Sequence, residues 1–226
     1  MFAAEVEGLR ALRAAGVRAP EPFDHGIRGG KAFIEMERLE LGGRPDWPAM
    51  GRMLAALHRN TSDRFGWKSD NWIGLSPQKN GLSDDWVAFY RDCRLLPQLE
   101  RAGLLEESEF LLKNLNSFFV NYAPLPSLLH GDLWSGNAGF TAAGPVIFDP
   151  AVYYGDREAD LAMTELFGGF PREFYAAYNK ASPLSAGYET RKHLYNLYHL
   201  LNHLNLFGAS YLGQVKATLD LLLRAR

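Results

Sequence analysis

The sequence predicts an α+β protein with a small N-terminal part containing antiparallel strands, followed by a mainly helical part with one embedded hairpin. Three observations carry this expectation. Residues 32–36 are a short apolar run directly after Gly29-Gly30, which reads as a strand entered from a turn. Gly42, Gly43, Pro45 and Pro48 then interrupt regular structure. Beyond them apolar residues recur at helical spacing, except between Asn137 and Asp149, where two short runs flank Thr141-Ala142-Ala143-Gly144 as the arms of a hairpin would.

The elements follow in order. Residues 2–15 read as a helix, with Leu9 and Leu12 on one face and Gly16 at its end. Residues 48–59 form a second helix striped by Met50, Leu54 and Leu57. Segment 61–83, rich in Ser, Asp, Asn, Gly and aromatics, reads as a long ordered loop. Helices are expected at 84–102 and 105–122, and from 156 the chain reads as helical almost to Arg226. The Gly/Pro break divides the chain into 1–41, a truncated N-terminal lobe with its hinge, and 42–226, a helical lobe.

At 226 residues the chain is long enough to bury roughly 70% of its unfolded surface, so it needs no disulfide or metal staple. A net charge of −2, with basic residues scattered, gives no basis for a nucleic-acid or anionic-membrane partner. No apolar stretch approaches the ~20 residues of a membrane span, and the first residues lack a signal-peptide pattern, so a cytoplasmic location is expected. The single cysteine, Cys93, cannot form an internal disulfide and sits among Val87, Phe89, Tyr90, Leu95 and Leu96 as a buried helical residue would.

The chemistry concentrates in His130-Gly131-Asp132-Leu133-Trp134-Ser135-Gly136-Asn137 and, twelve residues after Asn137, in Asp149 behind Val146-Ile147-Phe148. The run differs from the kinase catalytic-loop pattern H-R-D-L-x-x-x-N only in having Gly131 for Arg. Phosphoryl transfer needs a carboxylate to take the proton of the attacking hydroxyl, and hard oxygen donors to hold Mg²⁺ against the phosphates. Alone, Asp132 would read as a turn residue capping its own backbone and Asn137 as half of a Gly-Asn turn. Together with Asp149 at this spacing they read as base (Asp132) and metal ligands (Asn137, Asp149). An acid ending a buried strand is costly unless it is paired or binds a metal.

Other candidates are less decided. His130 lacks companions at zinc spacing and reads as a structural member bonding the loop backbone. His199 and His203 lie one helical turn apart without the Glu of H-E-x-x-H, and read as packed or capped histidines. Asp160 reads equally as a solvated acid at a helix start or as a buried acid rigidifying the catalytic loop. Glu5 shares the face of Leu9 and Leu12 and should point inward, whereas Glu7 should point out.

Several segments resemble the fructosamine/ketosamine-3-kinases, relatives of the aminoglycoside phosphotransferases within the protein-kinase-like fold. They are Met1-Phe2-Ala3-Ala4-Glu5, Asp63-Arg64-Phe65-Gly66-Trp67, Asp70-Asn71-Trp72-Ile73-Gly74, Pro77-Gln78-Lys79-Asn80, the motif from His130 to Asn137, the run from Asp149 to Met163, and His199-Leu200-Leu201-Asn202-His203-Leu204-Asn205. The resemblance implies ATP- and Mg²⁺-dependent phosphorylation of the 3-hydroxyl of a free or protein-bound ketosamine. The product is unstable and releases the amine, which makes such enzymes deglycation repair kinases. It also implies that Glu5 serves the nucleotide site and that Glu35, Met36, Glu37, Arg38 and Leu39 form a hinge meeting adenine through backbone groups. It places Trp134, Asp156 and Arg157 at the substrate, although Trp134 alone could equally be packing. The glycine-rich loop and ATP-binding Lys that the resemblance expects ahead of the Glu5 helix do not occur in these residues, and Gly29-Gly30-Lys31 falls in a later turn. A catalytically silent, pseudokinase-like binding protein and a phosphotransferase for another small hydroxyl compound therefore remain alternatives. A sheet edge left short makes a homodimer conceivable.

Overall fold

The structure is a computed structural model that describes residues 1–225. Helix α1 (Phe2–Ala14) buries Val6, Leu9 and Leu12, whose spacing puts them on one face. Strands β1 (Pro22–Arg28) and β2 (Lys31–Met36) form an antiparallel hairpin turned by Gly29 and Gly30, with Arg28 opposite Lys31. Helix α2 (Trp47–Leu57) begins where the Asp46 carboxylate accepts the Ala49 N–H at 2.8 Å, with Pro48 in its first turn. It buries Met50, Leu54 and Leu57.

Segment 61–83 is not an irregular loop. It contains four three-residue strands: β3 (Phe65–Trp67), β4 (Asn71–Ile73), β5 (Ser76–Gln78) and β6 (Gly81–Ser83). Runs this short carry no readable alternation; β4 pairs with β5 and β3 with β6 inside the segment, and β3 pairs also with the distant β10. The expected helix at 84–102 is likewise broken into α3 (Trp86–Tyr90), a π turn over Arg91–Leu95 and α4 (Leu96–Ala102). Pro97, in the first turn of α4, can donate no N–H to the preceding turn. Cys93 lies in that π turn, half-buried, with its thiol towards the Asn80 carbonyl. Helix α5 (Leu105–Lys113) stops short of 122, and a 3₁₀ turn over Leu115–Phe119 follows.

Strands β7 (Ser127–Leu129) and β10 (Tyr153–Gly155) complete a four-stranded antiparallel sheet in the order β6-β3-β10-β7. Strands β8 (Ala138–Thr141) and β9 (Gly144–Ile147) make the expected hairpin, Thr141 opposite Gly144. The C-terminal part is helical in four pieces: α6 (Glu158–Leu166), α7 (Arg172–Ala181), α8 (Tyr188–Phe207) and α9 (Leu212–Arg224). No helix among the described residues is long and apolar enough to cross a membrane.

Two apolar clusters hold these elements. One gathers Trp86, Tyr90, Leu99, Leu197, Leu201 and Leu219 from α3, α4, α8 and α9. The other gathers Leu9, Leu12, Met50, Leu54, Ile147 and Phe174 from α1, α2, β9 and α7, so apolar packing runs across the expected division at 41/42. Leu129 belongs to the first cluster, and Leu128 and Leu133 to the second, so the loop that bears Asp132 is anchored on both. The Gly42 and Gly43 N–H groups donate to the Phe140 carbonyl at 3.1 and 3.0 Å, tying the break segment to the β8–β9 hairpin.

A charged pair is buried behind the sheet. Arg191 donates to both oxygens of Glu158 at 2.7 and 2.9 Å, with 3% and 0% of the two side chains exposed, and its guanidinium lies 3.8 Å from the Tyr122 ring centroid. Removing one partner strands the other charge in the interior. Glu158→Ala should therefore cost about 3–5 kcal/mol in denaturant unfolding, whereas the double replacement Glu158→Leu, Arg191→Met should cost much less. Equal losses in the single and double variants would contradict this.

Candidate active site

The motif loop between β7 and β8 and the chain between β9 and β10 are laced together. The Ala151 N–H donates to the His130 carbonyl at 2.8 Å and the Phe148 N–H to the Asn137 carbonyl at 3.0 Å. His130 Nε2 meets the Phe148 carbonyl at 2.9 Å; a carbonyl only accepts, so Nε2 carries the hydrogen and Nδ1 is left to accept the Asp132 N–H at 3.3 Å. Burial lowers the His130 pKa, which keeps the ring neutral for this double duty.

Asp160 resolves in favour of the buried reading. Its carboxylate accepts the His130 N–H at 2.7 Å, the Gly131 N–H at 2.8 Å and His58 Nε2 at 3.1 Å, while His58 Nδ1 lies 2.7 Å from the Tyr178 hydroxyl. Burial pushes its pKa up, but the hydrogen bond and charge of His58, with smaller help from His130 and the Gly131 N–H, outweigh it and hold the carboxyl below its ordinary value.

Gly131, the departure from the kinase pattern, has a local cause. Its φ is +83°, and a Cβ there would lie 2.1 Å from the Ala151 carbonyl oxygen. Gly131→Ala should cost about 1–3 kcal/mol and distort the loop; a thermal melt beside a rate measurement checks both.

Asp132, Asn137, Asp149 and Glu5 converge on one cavity of about 420 Å³. Asn137 donates its amide N–H to the Asp132 carbonyl at 2.9 Å and lies 3.4 Å from its Oδ2, which leaves the Asn137 Oδ1 free to face the cavity. Asp149 sits at φ +54°, a left-handed conformation rare outside glycine and often stored at functional sites. Burial, then the charges of Asp160 and Asp149, push the Asp132 carboxyl up to about 7, against the Asn137 hydrogen bond. Burial and the Asp149 charge also raise Glu5. Among the described residues no three His, Cys, Asp or Glu side chains form a set that would hold a metal unaided. Asn137 and Asp149 fit instead the sparse oxygen set of Mg²⁺, completed by phosphates and water.

Trp134 lines the same cavity, 39% exposed. Sequence reasoning placed none of Asn71, Trp72, Asn202, His203, Leu206 and Phe207 in the cavity, yet all line it. The cues were segments 70–74 and 199–205, which the family resemblance included without assigning them to the site. Asn71 is an anchor: it donates to the Val152 carbonyl at 2.8 Å and accepts from Gln78 at 2.8 Å and Asn80 at 2.9 Å. His203 Nδ1 donates to the His199 carbonyl at 2.9 Å, the capped arrangement expected.

Other expectations need correction. Asp156 is fully buried away from the cavity, accepting from the Tyr195 and Tyr122 hydroxyls and the Glu158 N–H. Arg157 is engaged with Tyr178, Ser182 and Pro183. Neither side chain lines the cavity of Asp132, and both secure the start of α6. Met36, Glu37, Arg38 and Leu39 do not line it either. Glu37 pairs with Arg18 at 2.7 Å and gives its N–H to the Glu21 carbonyl at 2.8 Å, while Arg38 pairs with Glu40 at the surface. Glu7 does not point freely outward: it accepts the Trp67 indole N–H and lies 3.5 Å from Lys68.

A family model described as fructosamine kinase matches residues 1–225. A probable ketoamine kinase of Synechocystis sp. is 48% identical over 233 residues, spanning 99% of this chain and 79% of that protein. The chloroplastic protein-ribulosamine 3-kinase of Arabidopsis thaliana is 42% identical over 237 residues, spanning 99% of this chain and 72% of that protein. The crystal structure of a candidate fructosamine-3-kinase from Haemophilus somnus superposes with a TM-score of 0.90 at 29% identity, over 99% of this chain and 80% of that one.

Proposed function

The chain belongs to the fructosamine kinase family, and from this premise we propose that it transfers the γ-phosphoryl group of ATP to the 3-hydroxyl of a ketosamine such as a ribulosamine or fructosamine. The convergence of Asp132, Asn137 and Asp149 on one cavity carries the reading. Asp132 accepts the proton of the sugar hydroxyl as its oxygen attacks the γ-phosphorus, the bond to the β–γ bridging oxygen breaks and ADP leaves. Asn137 Oδ1 and the Asp149 carboxylate would hold Mg²⁺, which neutralises charge on the phosphates when bound. Glu5 borders the nucleotide side. Trp134 offers its ring face to the sugar. His130 and Asp160 keep the loop in shape and touch no substrate.

The test is incubation with ATP, Mg²⁺ and a synthetic ribulosamine or fructosamine. ADP formation that depends on the sugar-amine, with a ³¹P signal for a sugar 3-phosphate, is expected. Absence of both at saturating ATP and Mg²⁺ would overturn the assignment.

A further inference from the structure

His199 is a buried polar side chain close to Asp132 that has no part in the proposed transfer. It lies on α8, 4% exposed, and its Nδ1 is buried with no hydrogen-bond partner. A buried nitrogen in that state is costly, and such groups are uncommon in folded proteins. The nearest charged atom recorded for it is the Asp132 Oδ1, 3.9 Å away. That separation exceeds a hydrogen bond, but catalytic contacts are often long before substrate binds and close afterwards.

We propose that His199 is a positioning residue for Asp132, donating its Nδ1 hydrogen to Oδ1 so that the carboxylate is held there while Asn137 flanks Oδ2. The inference rests on the reading of Asp132 as the base. A carboxylate can only accept, so the arrangement demands the tautomer with hydrogen on Nδ1. The frame around the ring suits this task. The His199 carbonyl is fixed by His203 Nδ1, and the adjacent Tyr198 gives its hydroxyl to Gln78 at 2.8 Å, which in turn bonds Asn71 and the Ala151 carbonyl two residues past Asp149. Helix α8 is thus tied to the chain just past Asp149. Burial, then the charge of His203, lower the His199 pKa to about 3, so the ring acts as a neutral donor and not as a counter-ion.

Two measurements decide the matter. In the ligand-free wild-type protein labelled with ¹⁵N-histidine, two-bond ¹⁵N–¹H correlation should show the His199 hydrogen on Nδ1, and Asp132→Asn should shift that signal. A hydrogen on Nε2, or a signal indifferent to Asp132→Asn, would overturn the proposal. This arm needs no turnover and no folded His199 variant, so a chain inactive on sugar-amines would sink the proposed function and leave this result standing. In the kinetic arm, losing one hydrogen bond to a charged group should lower kcat of His199→Leu about ten- to a hundredfold. KM for ATP and for the sugar-amine should stay within about twofold, because a group acting on the base alone contributes to neither ground-state complex. His199→Asn, whose amide can donate from the Nδ1 position, should recover most of kcat. An unchanged kcat in His199→Leu, or an equal loss in both variants, would overturn the assignment.

Discussion

Asp132→Asn is expected to lower kcat for ketosamine phosphorylation by about 10²–10⁴-fold, the usual contribution of a positioned general base, while the melting temperature at pH 8 holds or rises. The second half follows from the surroundings. The Asp132 carboxyl is drawn up to about 7 by burial and by the charges of Asp160 and Asp149, so its ionised form is disfavoured in the fold. An amide of the same shape removes that repulsion and can still meet the Asn137 amide. Such a cost to stability is what a functional group in a like-charged setting carries. Steady-state kinetics beside a thermal melt checks both parts. A near-normal kcat would remove Asp132 from the reaction.

Asp160→Ala should be the most disruptive change to the framework. It strands three donors together: the His130 and Gly131 N–H groups and His58 Nε2. Each buried unsatisfied donor costs about 1–3 kcal/mol, so a loss of about 3–9 kcal/mol in urea unfolding is expected. Activity should fall even where the variant remains folded, because these hydrogen bonds set the path of the chain into Asp132. The linkage has a definite sign. A carboxyl held below its ordinary 3.8 in the fold contributes stability that is complete above that value and is lost as the pH falls through the lower folded value. Wild type should therefore lose stability on acidification below pH 3.8 more steeply than Asp160→Ala. Parallel acid profiles would show that Asp160 carries no such linkage.

How much of this was legible depended on whether the determining contact was local. The β8–β9 hairpin and α1 were readable because a turn sequence or a one-faced stripe lies within a few residues of the positions it governs. The four short strands of 61–83 were not: at three residues each they carry no alternation to read, and β3 is fixed by a partner far along the chain, Tyr154 opposite Gly66. That Asp132, Asn137 and Asp149 share one cavity could be read because their spacing reflects one loop and one hairpin. The resemblance placed Asp156 and Arg157 at the substrate, yet β10 carries the chain across the sheet before they appear, and their side chains bond elsewhere than the cavity of Asp132. Asn202 and His203 enter the cavity from a helix some seventy residues away, and nothing in a helical stripe says what it will face.

Asn137 and Asp149 stand at the two feet of one antiparallel ladder, Ala138 paired with Ile147 and Thr141 with Gly144. Their separation is therefore gauged by strand pairing, like the opening of a caliper. Extra residues spliced into the tip at 142–143 would leave that gauge untouched, whereas a one-residue slip of either arm would turn every side chain on it to the opposite face and pull the two oxygen donors out of step. Insertions at the tip should thus be silent in catalysis, and length changes within the arms should not.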